Sequence, residues 1–486
     1  GVRKLDLSGQ LAVAGERDRR FYSVHFCRNC GQEYYPVWDE IEEGNRAFAP
    51  RSIKETSHDD EDVNHGFLMI DPERCWDGES LENYPENWVD LAGKEPRIKS
   101  TYRKYQPQEV FVASNGQSHL QGVRSWFIPG SFRFCLCCGA NQSRGRDWTR
   151  LSGLSGEGRS SATTILSISA LRYMLGAESD LAADARKLLG FTDNRQDASL
   201  QAGHFNDFMQ ILLMRSALFS CVRQRGNDPL SDSQITQQVF QALGFAIDDP
   251  LIRSEYLQNP GNVAPRLRRD AEETMRNILG YRLYFDLRRG WRFNNPNLEQ
   301  LDLLRIEYED LPTLCSDDAR WQKTARPGSP GEREVHPMLA LASPAVRQKL
   351  VQMLLDVMRR NLCIKTRYLD RYNLEEWKNK SRQHLKEPWA FTEDEQLAEA
   401  GYATISKPRK DLNTVTLGLR TRFGQVVKSA SFWEGGQYEP LKEANYAQFI
   451  QDLLDIVESY GLIEGAELEK GVRGYQVLGE ALLWRL

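Results

Sequence analysis

The 486-residue sequence has no apolar run approaching the roughly 18–20 residues that cross a bilayer, so no transmembrane helix is expected. Its amino terminus, GVRKLDLSGQ, carries neither an apolar signal core nor an initiator Met, as expected of an excised or processed piece. An excess of one charge is lacking too. The 63 Lys and Arg face 68 Asp and Glu, a net charge of −5, which excludes a globally cationic nucleic-acid coat but permits a local basic track. The histidines (His25, His58, His65, His119, His204, His336 and His384) are scattered without metal-ligand spacing. No paired carboxylates, Ser-His or Cys-His constellation stands out, which argues against an independent hydrolase or nuclease. No GxxxxGK[ST] phosphate loop, DExH box or QxxGRxGR segment is present, so this chain alone is not expected to turn over ATP. No internal repeat is evident. Apolar residues nevertheless make up 40% of the chain, enough to build cores, and its length suggests about three domains.

Cysteine is also scarce. Nine thiols (27, 30, 75, 135, 137, 138, 221, 315, 363) are too few and odd in number for a disulfide scaffold, which fits a reduced cytoplasm. Four of them form two CxxCG knuckles, Cys27-x-x-Cys30-Gly31 and Cys135-x-x-Cys138-Gly139. Each knuckle aims two thiolates at one ion, and the pair predicts a closed, structural four-cysteine zinc site. The alternative is two unrelated turns holding bare thiols, or a redox pair. A gap of 104 residues separates Cys30 from Cys135, so zinc would clamp the base of a long excursion and offset its closure entropy. Cys137 is read as a spare, since coordination through it would break the CxxC geometry. His25 could replace one cysteine as ligand, but a packed or surface role suits a single aromatic-flanked histidine better. Cys75, Cys221, Cys315 and Cys363 lack partner spacing and read as small buried hydrophobes.

Along the chain, FYSVHF and EYYPVW predict strands around the first knuckle, and EVFVAS, SWFIPG and SFRFCLC predict strands leading into the second. The excursion should therefore end by pairing with its beginning. The acidic run Asp59–Asp62 reads as a solvated surface. RDWTRLSGLSGEGRSS, 146–161, reads as a Gly/Ser linker. Beyond it, a helix over 162–175, a buried strand at Lys187–Thr192, a polar turn and a helix over 198–225 form half of an α/β unit. Helices are expected over 233–243, 264–279, 343–360 and 446–460, with Ser343-Pro344 supplying N-cap and first-turn signals. A β-like stretch is expected from Arg282 to Tyr308, broken by a turn at 294–296, and a breaker-rich loop at 326–337. The final helix followed by two strands about a charged turn has the winged-helix pattern. The expected fold is thus α/β plus α+β. Its parts are a zinc-stapled β-rich insertion (1–150), a partial RecA-like unit (151–226), a helical insertion (227–340) and a helical, winged-helix-like domain (341–486).

The segment LLGFTDNRQDASLQAGHFNDF, 188–208, resembles large bacterial superfamily 2 DEAD/DEAH-box helicases that carry a four-cysteine zinc-binding domain and often serve phage defence, as in DISARM and Druantia systems. The tight part is Phe191-Thr-Asp-Asn-Arg-Gln-Asp-Ala198, which in that group opens the second RecA-like domain. EGRSSATT (157–164), GWRFNNPNLEQLDLLRIEY (290–308), GYQVLGEALLWRL (474–486) and the CxxCG pair are also similar to the group. The resemblance implies a middle section of an ATP-dependent helicase or translocase acting on nucleic acid, DNA favoured, with ATP and Mg²⁺ bound only by the full-length protein. It also implies cytoplasmic defence-system partners. Asp193, Arg195 and Gln196 would face the nucleotide cleft or the strand, although Asp193 and Asp197 could simply cap the following helix. Composition adds a basic track: Arg266, Arg268, Arg269, Arg276, Arg282, Arg288, Arg289 and Arg292 interleave with Tyr281, Tyr284, Phe285 and Trp291. A second cluster comprises Lys407, Arg409, Lys410, Arg420, Arg422, Phe423 and Lys428. The competing function is a zinc-stabilised protein-interaction module that binds no nucleic acid.

Overall fold

A computed structural model describes the chain except for 1–3, 5–11, 14–15, 29, 43, 57–62, 72–75, 77, 79–80, 82–83, 86–87, 91–96, 140–149, 154–157, 177–180, 183–184, 190–194, 262–263, 289–296, 326–330, 407–411, 420 and 434–440. The fold is mixed α and β, and the chain groups into two compact units. One comprises Gly1–Ser155 with Gly418–Ser429, the other Gly156–Leu417 with Ala430–Leu486.

The first unit is built on an antiparallel sheet of seven strands: β1 (His25–Cys27), β2 (Glu33–Glu42), β3 (Asn45–Pro50), β4 (Asn64–Ile70), β5 (Gln108–Val112), β6 (Val123–Pro129) and β7 (Leu151–Gly153). Their order is β7-β1-β2-β4-β6-β5, with β3 paired to β2. Alternation along the strands splits the side chains between two cores. Tyr34, Phe67, Met69, Trp126 and Ile128 face a large aromatic cluster with Trp76, Tyr84, Trp88 and Phe134. Val37, Phe48, Leu68, Val110 and Phe127 pack on the other side. Asp71, just past β4, is buried where it accepts from Trp126 Nε1 (3.1 Å) and Arg124 Nη1 (2.8 Å), so its charge is paired on entering the core.

The excursion does return to its start, but through a different strand from the one its sequence suggests. SFRFCLC is not a strand: the chain leaves the sheet at Gly130, which has a positive φ of 73°, and turns through the second knuckle. Strand β7 lies inside the expected linker. Leu151 pairs with Cys27 and is almost fully buried, so tertiary pairing overrides the local Gly/Ser composition.

The second unit is mainly helical. Helix α1 (Gly158–Leu175) begins four residues before its expected start, and α2 spans Arg195–Arg225. The strand expected at Lys187–Thr192 lies partly outside the described residues, and 187–189 form no strand. Helix α3 (Asp232–Ala242) packs against α4 (Pro265–Asp286), which takes in Arg282–Asp286, the first residues of the expected β-like stretch, while its last four, Arg305–Tyr308, do form a strand. Tyr281, Leu283 and Tyr284 are buried in α4 beside Met275 and Ile278; burial on several faces let aromatic composition imitate a strand. Helix α5 (Pro344–Arg360) starts as its sequence predicts, with Ser343 Oγ accepting from Val346 N. Helix α6 (Glu443–Tyr460) leads into a hairpin of Ile463–Glu469 and Val472–Leu478 within a five-stranded mixed sheet. The last strand, Leu482–Arg485, lies between Leu230–Ser231 and Arg305–Tyr308. Among the described residues no helix is long and apolar enough to cross a membrane.

One buried ion network gives this unit an acid-sensitive joint. Burial alone would raise the carboxyl of Glu299, but its bonds to Arg359 and Arg360 hold it down at about 2. Because the folded value is depressed from 4.5, the stabilisation is complete above about pH 4.5 and fades as pH falls through about 2. It amounts to about 3 kcal/mol at most. Thermal midpoints recorded between pH 5 and pH 3 should therefore fall more steeply for the wild type than for Glu299→Gln. Parallel curves would remove Glu299 from the acid response.

Candidate metal centre

The two knuckles that lie far apart in sequence meet in space. The first joins β1 to β2; the second follows β6 and precedes β7, which closes back onto β1. In each, the amide after the second cysteine returns to the first cysteine's carbonyl, Gly31 N to Cys27 O and Gly139 N to Cys135 O, both at 2.8 Å. Gly31 and Gly139 have φ of 78° and 65°, conformations that a β-carbon would strain. The trailing glycine of the motif is therefore a backbone requirement.

Cys27, Cys30, Cys135 and Cys138 bring all four sulfurs within 4.8 Å of one another. Cys27 Sγ lies 3.9 Å from Cys138 Sγ, and Cys30 Sγ lies 3.6 Å from Cys135 Sγ. A tetrahedron with metal–sulfur bonds of about 2.3 Å has edges of about 3.8 Å. The four residues could thus hold one metal ion with little movement. All but Cys30 are buried. Crowding by Cys138, Cys27 and Cys30, followed by burial, pushes the Cys135 thiol far up. The hydrogen bond from Cys135 lowers Cys30, but Cys137, Cys138 and burial still bring it up to about 11. Four thiolates this close would require a cation among them.

Tyr34 is the partner that sequence reasoning missed. Fully buried on β2, its hydroxyl accepts from Leu136 N at 2.9 Å and lies 3.1 Å from Cys135 Sγ. With its oxygen taken by an amide, the phenol proton is left to donate to the sulfur, fixing that ligand from outside. The signal was the tyrosine four residues past Cys30, on the strand leaving the knuckle. Cys137 is exposed and outside the four-sulfur group, as its position between ligands implies. His25 is buried on β1 and is also outside the group. Cys221, Cys315 and Cys363 are buried; Cys75 and the acidic run at 59–62 lie outside the described residues.

Among the described residues, the other candidate contacts are not gathered into a site. Asp193, Arg289, Trp291 and Arg292 lie outside the described residues, as do the side chains of Arg195 and Gln196 in the first turn of α2. Arg268 pairs with Asp248 and Glu272, while Arg269 is exposed near the start of α4 and Arg288 beyond its end. At 1.5 Å per residue these two lie about 30 Å apart. The expected stacking aromatics are core instead: Tyr281 OH accepts from Ala398 N, and Tyr284 bonds Asp232 and stacks on Tyr368. Arg282 pairs with Glu395, and Arg276 lies over Phe240. Of the second cluster, Phe423 is buried, while Lys407, Arg409, Lys410 and Arg420 lie outside the described residues. Comparison with protein-family models, curated proteins and solved structures finds no match to the chain.

Proposed function

We propose that the chain is a zinc-stapled section of an ATP-dependent nucleic-acid helicase or translocase of superfamily 2, with DNA as the favoured substrate. The observation that carries this proposal is the convergence of Cys27, Cys30, Cys135 and Cys138, because the same four-cysteine domain accompanies the FTDNRQDA segment in the helicases that the sequence resembles. Zinc is the metal that suits a closed, tetrahedral, all-thiolate set with no open position, and its role is structural. Helix α1 before the segment and helix α2, which begins within it at Arg195, support a partial RecA-like unit. Helix α6 and the hairpin after it support a winged-helix-like element.

In the intact protein, ATP would bind through a phosphate loop that this sequence does not contain. The contribution of this chain is to hold and orient nucleic acid. The competing reading, a module that docks defence-system proteins, is favoured by the burial of Tyr281 and Tyr284 and by the pairing of Arg268 and Arg282. Titration of the purified chain with labelled single-stranded DNA over a salt series separates them. Affinity falling steeply with log[salt], about one zinc per chain and no ATP turnover are expected. Absence of binding at low salt would leave the docking module as the better reading, and robust ATP turnover would overturn the section as drawn.

A further inference from the structure

We infer that a cationic–aromatic surface on the zinc-bearing unit, centred on Arg133, Lys104 and Tyr105, is a contact site for single-stranded nucleic acid; this rests on the nucleic-acid reading above. The guanidinium carbon of Arg133 lies 3.7 Å above the ring centre of Tyr105, and the Lys104 ammonium lies 5.0 Å from the same ring. Two cations thus converge on one aromatic ring. Arg133 Nε is buried with no hydrogen-bond partner, and no carboxylate pairs with Arg133, Lys104 or Arg103 among the described residues. Among the described residues, Glu109 is committed to Arg124 at 2.5 Å and Asp90 to Arg97 at 3.5 Å. From Pro96 to Gln108 the sequence carries Arg97, Lys99, Arg103 and Lys104 and no acidic residue. Holding like charges together costs energy that an anion would recover.

The floor of this surface is well packed. Tyr102 stacks on buried Trp88 with ring centres 4.8 Å apart and planes 8° from parallel, and Tyr105 packs against the same aromatic core. Arg133 stands two residues before Cys135, so the metal centre fixes the backbone that presents it. A planar guanidinium lying on tyrosine offers a base a stacking face, while Arg103 and Lys104 offer charge to phosphates. An acidic peptide would use the charges but not the stack, which favours an unpaired strand.

The test is fluorescence anisotropy of the full chain with a labelled oligothymidylate of about 20 nucleotides, from about 50 to about 200 mM salt. Arg103→Ala/Lys104→Ala/Arg133→Ala should weaken binding at least about tenfold and reduce the slope against log[salt] by about 2, with zinc content unchanged. Because Arg133 adjoins a ligand, Arg103→Ala/Lys104→Ala is the second variant; it leaves the knuckle untouched and should reduce the slope by about 1.4. Wild-type binding with unaltered affinity and slope in both variants would overturn this surface and leave the helicase reading standing. No binding by the wild type would remove both. Equal or tighter binding of duplex DNA, or of polyglutamate, lost in the same variants, would overturn the single-strand assignment.

Discussion

Cys135→Ser is expected to empty the metal centre and unfold the first unit, at a cost of at least about 4 kcal/mol. Cys135 is fully buried, lies 3.6 Å from Cys30 Sγ and accepts the Tyr34 phenol. Serine can supply only a shorter, harder oxygen that binds zinc poorly at neutral pH. The loss is more than local, because the centre joins two knuckles separated by 104 residues. Everything from β2 to β6 lies inside the loop that it closes, and β7 reaches β1 only when the second knuckle is in place. Metal analysis should fall from about one zinc per chain to well below half, and limited proteolysis should open 31–134. Cys137→Ser is the matched control: that thiol is exposed and outside the tetrahedron, so zinc content and melting should not change. Full zinc occupancy and an unchanged melting curve in Cys135→Ser would show that the four sulfurs do not act as one ligand set. Tyr34→Phe should retain zinc but release it to a chelator more than about tenfold faster, since the four ligands remain while the bond to Cys135 and the acceptor for Leu136 N are lost.

The contrast between Cys135 and Tyr34 shows what was legible in the sequence. Paired CxxCG knuckles demand one geometry, so their convergence could be anticipated across 104 residues. The N-terminus of α5 was equally plain, because Ser343-Pro344 acts on amides within its own first turn. Tyr34 gave no comparable signal: a tyrosine in a strand reads as core, and its sulfur partner is 101 residues away. The β7 strand failed for a related reason. Three residues in a Gly/Ser-rich stretch become a strand only because β1 offers an unpaired edge. The aromatic half of the basic track failed because Tyr281 and Tyr284 answer to helical burial rather than to the arginines beside them in sequence. Arg133 and Tyr105 meet only through the fold, so neither stood out as a contact residue.

The second large effect is expected at Arg359, at the end of α5. Its guanidinium is wholly buried, yet it donates to both oxygens of Glu299 (2.9 and 2.7 Å), to Asp356 (3.0 Å) and to the Tyr308 hydroxyl (3.2 Å). Arg360 adds a bond to Glu299 at 2.7 Å. Arg359→Met removes the central charge and leaves two largely buried carboxylates with only Arg360 between them, so a loss of about 3–5 kcal/mol is expected. The strand carrying Tyr308 pairs with the final strand at Leu482–Arg485, so the damage should extend to the sheet closed by that strand. Much of the penalty is the cost of stranded charge rather than the worth of the ion pair, and a double variant exposes the difference. Arg359→Met/Glu299→Leu removes charge from both sides and should recover at least about half of the lost stability, a coupling of about 2 kcal/mol in urea titrations of the full chain. If the double variant falls by the sum of the single losses, the network is not a coupled unit, and Arg359 matters only for its packing.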